Sequence, residues 1–72
     1  MSNHTKEQLM EILEEFISEE VQAEEEYERA IKLAIKAGLP EVAVGLRQIR
    51  KDAKNHKDAL ELMLLGLKLE DE

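Results

Sequence analysis

The chain has 72 residues, a formal net charge of −7 and no cysteine. This size allows one domain at most, and the lack of cysteine excludes both a disulfide framework and a thiolate metal site. The negative charge argues against nucleic acid or an anionic membrane surface as a partner. No apolar stretch approaches the roughly 18 residues that a membrane span needs, and the N-terminal segment has no signal-peptide core. We therefore expect a cytoplasmic protein.

The first predicted element is a helix from about residue 5 to residue 37. Thr5 can cap its start, with Gln8 three positions later as in a capping box. No glycine or proline follows until Gly38, which suits the left-handed residue that closes a helix. Pro40 suits the first turn of the next helix. A tight turn over residues 38–40 is therefore predicted.

The second predicted helix runs from about residue 40 to residue 69, so that residues 1–72 form a single helical hairpin. In both helices apolar residues recur at alternating steps of three and four, and the resulting stripe is too wide for a two-stranded coiled coil. One hairpin would leave half of each stripe in water. The expected fold is therefore all-α: an antiparallel two-helix hairpin that dimerises into a four-helix bundle. The stripe comprises Leu9, Leu13, Phe16, Ala23, Tyr27, Ala30 and Ala34, then Val42, Leu46, Ile49, Ala53, Leu60, Met63 and Leu67.

Two ionisable residues, Glu20 and His56, occupy positions where the apolar stripe would continue. They lie at nearly equal distances along the chain from Leu39, one before it and one after it. Because each residue of a helix adds the same rise, both are expected at nearly the same height in the hairpin. A twofold dimer would bring two copies of each side chain to one central point. Carboxylate and neutral imidazole together suit Fe, Mn or Zn.

Three neighbours are candidate supporting residues for this site: Glu24, Asp52 and Tyr27. Glu24 is one turn after Glu20, and Asp52 is one turn before His56. Either carboxylate could orient the imidazole or act as a ligand. A metal-free reading stays open beside this one, because a buried Glu–His contact can also fix the register of a helical bundle.

The segments Glu20–Tyr27 (EVQAEEEY) and Asp52–His56 (DAKNH) carry a family resemblance. Over roughly residues 17–64 the chain resembles one half of a rubrerythrin-like or ferritin-like four-helix bundle. That resemblance implies a di-iron or similar centre, to which each half supplies one Glu from its first helix and a Glu-x-x-His pair from its second. Glu20 would be the first-helix ligand and His56 the histidine. Encapsulated ferritins are a further analogy, since they too are short two-helix chains that complete their metal site by dimerising.

The chain departs from this family pattern at Ala53, which stands where the metal-bridging Glu is expected. This argues against ferroxidase or peroxide-reducing di-iron chemistry. The favoured function is a small ferritin-like protein that binds a transition metal, iron or else Mn or Zn, at a dimer interface. The alternative is a structural or protein-interaction hairpin that has lost the di-iron site and holds no metal. In either case a homo-oligomer, at least a dimer, is expected, and a further protein or shell could capture the chain.

Overall fold

The structure is a computed structural model and describes residues 3–70. Two helices, α1 (Asn3–Lys36) and α2 (Pro40–Leu69), account for the regular structure of this range, which contains no strand. They form a rod measuring 54 × 14 × 14 Å. The predicted all-helical hairpin is thus confirmed for the described residues. Neither helix combines the length and the apolar content that crossing a membrane would require.

The start of α1 differs from the sequence prediction. The helix begins at Asn3, so Thr5 and Gln8 lie inside it and the predicted cap at Thr5 is wrong. No glycine or proline prevents this earlier start, although Asn3, His4 and Thr5 are themselves only modest helix formers.

The turn between the helices is a Schellman motif. Gly38 has a φ of +73°, as predicted for the residue that closes a helix. Its N–H donates to the carbonyl of Ile35 at 3.1 Å, and the N–H of Leu39 donates to the carbonyl of Ala34 at 2.9 Å. These two bonds satisfy carbonyls at the end of α1. Pro40 then opens α2, where its missing N–H has no consequence.

The helices pack against each other along one narrow line of side chains. The tightest part lies beside the turn, where Ile31, Ala34 and Ala43 form a buried cluster with Leu46 packed against it. Ala43 is only 1% exposed. Small side chains allow the helix backbones to approach closely at this end. The buried apolar residues are Leu13, Ile31, Ala34, Ala43, Ala53 and Leu64.

The rest of the apolar stripe faces outward. Large apolar residues that belong to the predicted seam keep 39–57% of their surface exposed, and no large side chain of the described residues is fully buried. The hairpin therefore covers only part of each stripe, as the width of the stripe predicts. The exposed seam residues are Leu9, Phe16, Val42, Ile49 and Met63.

Candidate metal site on the open face

Two neighbouring grooves mark one side of the hairpin. Glu20 and His56 line both grooves, so these two residues lie at the centre of this side. The larger groove has a volume of about 370 Å³ and is open to solvent. We call this side the open face and define it by the residues that line the two grooves. They are Phe16, Glu19, Glu20, Ala23, Tyr27, Ile49, Asp52, Ala53, His56, Ala59, Leu60 and Met63.

Glu20 and His56 approach each other across the two helices. The Oε2 atom of Glu20 lies 3.6 Å from Nδ1 of His56. The equal heights predicted from their distances to the turn are thereby confirmed. The Glu20 side chain is 26% exposed and that of His56 67% exposed, so the imidazole projects outward from the hairpin. Because 3.6 Å is too long for a hydrogen bond, the contact does not lock the two groups together.

The separation of the two side chains fits ligands of one metal ion. Oxygen and nitrogen ligands bind Zn²⁺ at about 2.0–2.2 Å, which places two tetrahedral ligand atoms about 3.4 Å apart. The observed 3.6 Å is close to that distance.

One hairpin supplies too few ligands to complete such a site. Within residues 3–70, no group of three or more His, Asp or Glu side chains is arranged to hold a metal ion. Ala53 is 5% exposed and lines the groove beside Glu20 and His56, so the position of the expected bridging carboxylate is occupied by a methyl group. Water or side chains of another molecule would have to supply the remaining ligands.

The candidate supporting residues have different surroundings. Glu24 accepts a hydrogen bond from Nζ of Lys57 at 3.4 Å, and both side chains are 23% exposed. Asp52 accepts a hydrogen bond from the side-chain amide of Gln48 at 3.2 Å. Tyr27 lines the same groove as Glu20 and His56. Tyr27 and Asp52 therefore border the candidate site, whereas Glu24 is engaged by a lysine.

Lys57 is a residue that the sequence reasoning did not connect with the site. It follows His56 directly and forms a cross-helix ion pair with Glu24 at the level of the candidate ligands. The sequence could have predicted this pair, because Glu24 and Lys57 lie at similar distances from Leu39, one before it and one after it.

Comparison of the chain with models of protein families, with curated proteins and with solved structures gave no match. The ferritin-like family therefore stays a prediction from the sequence, based on the spacing of Glu20, Tyr27 and His56.

Proposed function

We propose that this chain binds one transition-metal ion between two copies of the hairpin, with Glu20 and His56 of each copy as the four ligands. The observation that supports this most directly is the 3.6 Å approach of Glu20 Oε2 to His56 Nδ1 at the centre of an exposed apolar face. Two carboxylates and two imidazoles suit Fe, Mn or Zn. When bound, the ion would supply the cross-link between the copies, and these residues would set its coordination.

The surroundings of the pair favour a metal-binding role over oxygen chemistry. With Ala53 in place of a carboxylate, the chain offers no bridging ligand for a second metal. The apolar side chains of Phe16 and Met63 border the pair on one side. A second hairpin over this face would exclude water from the ligands and strengthen their electrostatic attraction for a cation.

The test is metal analysis of protein prepared without a histidine tag, loaded separately with Fe²⁺ under anaerobic conditions, Mn²⁺ or Zn²⁺ and then desalted. We expect about one ion per two chains, the ratio that four ligands per ion implies. Glu20→Ala and His56→Ala should each lower the affinity by more than about 100-fold, since losing a ligand costs more than losing a supporting group.

Glu15→Ala and His4→Ala are matched controls, because both residues are exposed and lie outside the open face. They should leave metal binding unchanged. A protein that retains none of the three metals, or that loses metal equally in the controls, would contradict the proposal.

A second candidate function is a metal-free interaction hairpin of ferritin-like ancestry. The observation that favours it is that Ala53, buried at 5% exposure, stands where the bridging carboxylate is expected, so that Glu20 and His56 would serve only as a polar contact in a bundle interface. Under this alternative, His56→Leu should leave self-association intact or strengthen it, and a chelator should have no effect. If Zn²⁺ promotes association of the native chain but not of His56→Leu, this alternative fails.

A further inference from the structure

The charges of the hairpin are distributed unevenly along its length. The level of Glu20 and His56 divides it into a turn half, residues 21–57, and an open half, residues 3–20 and 58–70. The turn half carries six acidic and eight basic side chains, a net charge of +2. The open half carries nine acidic and two basic side chains, a net charge of −7. The rod is therefore strongly polarised from one end to the other.

From this polarity we infer that a second copy of the chain covers the open face in the opposite direction, with its turn half against the open half of the first. This inference rests on the proposed pairing of two hairpins and specifies its geometry. The twofold axis would cross the long axis of the rod at the level of Glu20 and His56. All four candidate ligands then meet at the axis.

Electrostatic interactions favour antiparallel pairing of the two copies over parallel pairing. Antiparallel pairing places a net charge of −7 against +2 at both ends of the dimer, whereas parallel pairing places −7 against −7 and +2 against +2. Packed helices lie about 8–10 Å apart. That spacing is about one Debye length at physiological ionic strength (about 8 Å), so salt weakens the charge interaction between the copies without abolishing it, and the preference is strongest at low salt. Complementary charge of this kind fixes the register of an interface.

The open face itself is compatible with this direction. Glu20 lies at the midpoint of α1 (Asn3–Lys36), so antiparallel copies overlap along their full length. Phe16 and Met63 lie in the open half of this face, and Tyr27 and Ile49 lie in the turn half. Antiparallel pairing therefore brings Phe16 and Met63 of one copy against Tyr27 and Ile49 of the other. Each of these side chains then gains an apolar or aromatic partner.

The absence of cysteine allows a clean distance measurement by double electron–electron resonance on single-cysteine variants. Ala37 is exposed beside the turn, and the helical rise places it about 25 Å along the hairpin from the proposed axis. Spin labels on Ala37→Cys should be about 50 Å apart in the antiparallel dimer. In a parallel dimer they would be separated only across the bundle, by less than about 30 Å.

Ser18→Cys is the control, because Ser18 is exposed outside the open face and close to Glu20 in the sequence. Its labels should be less than about 30 Å apart in either orientation, which reports pairing alone. Both variants are measured with Zn²⁺ and with chelator, alongside the solution mass.

The three informative outcomes are distinct. A long distance at Ala37 with a short one at Ser18 supports the inference, even if chelator does not change it and metal binding fails. Short distances at both positions overturn the antiparallel direction and leave the shared metal site standing. A monomeric mass without dipolar coupling at either position, with and without Zn²⁺, overturns both.

Discussion

At the scale of single residues, Gly38 is the position where local backbone conformation matters most. Its φ of +73° is a conformation that side-chain-bearing residues adopt at a cost, even though the space around it is open. We expect Gly38→Ala to lower the free energy of unfolding by about 1 kcal/mol. Urea unfolding followed by circular dichroism at fixed protein concentration would measure this.

Gly66→Ala is the matched control for Gly38→Ala. Gly66 lies within α2, and an added Cβ there meets no atom within 4 Å. Alanine should raise the free energy of unfolding by up to about 1 kcal/mol through its helix propensity. Equal effects of the two substitutions would contradict the role assigned to the left-handed conformation at Gly38.

At the scale of the helices, packing is most demanding beside the turn. Ala43 is 1% exposed and lies in the cluster formed with Ile31 and Ala34. A larger side chain there has no free space and would disturb the packing between the two helices. We expect Ala43→Leu to destabilise the chain by about 1–3 kcal/mol, measured by the same unfolding assay.

Val44→Leu controls for the change of size in that experiment. Val44 is the next residue along α2 and is 63% exposed. Its substitution should change the free energy of unfolding by less than about 0.5 kcal/mol. If Ala43→Leu changed the free energy of unfolding as little as Val44→Leu, the inferred tight packing around Ala43 would be wrong.

At the scale of the whole molecule, the proposed self-association depends on the exposed apolar surface. Phe16 is 45% exposed and belongs to the open face. We expect Phe16→Glu to abolish dimers in sedimentation equilibrium, because the carboxylate would lose its hydration at the interface. Its melting temperature should also fall and become independent of protein concentration, since association no longer stabilises the fold.

Leu33→Glu is the corresponding control for Phe16→Glu. Leu33 is 61% exposed on α1 and lies outside the open face. The same change of charge should leave the dimer in place there. Dissociation by both substitutions would indicate that added negative charge, and not the open face, controls association.

The sequence by itself determined the two helices and the turn. These are local features, set by uninterrupted helix-forming residues, by Gly38 at a left-handed position and by Pro40 at a helix start. It also predicted that Glu20 and His56 lie at one level, because rise per residue converts distance from the turn into height. The start of α1 was less accurate, because the helix already begins at Asn3, before the capping signal at Thr5.

Only the tertiary structure decided which half of the apolar stripe lies between the helices. The rotation of each helix about its axis depends on side-chain packing, which leaves Ala43 and Ala53 inside and Phe16 and Met63 outside. The same rotation pairs Lys57 with Glu24 and directs His56 outward, 3.6 Å from Glu20. Periodicity identifies which residues form an apolar stripe. It does not identify which of them contact the other helix of the hairpin and which face outward. That division leaves Glu20 and His56 on the open face, where a second copy could reach them under the proposed function.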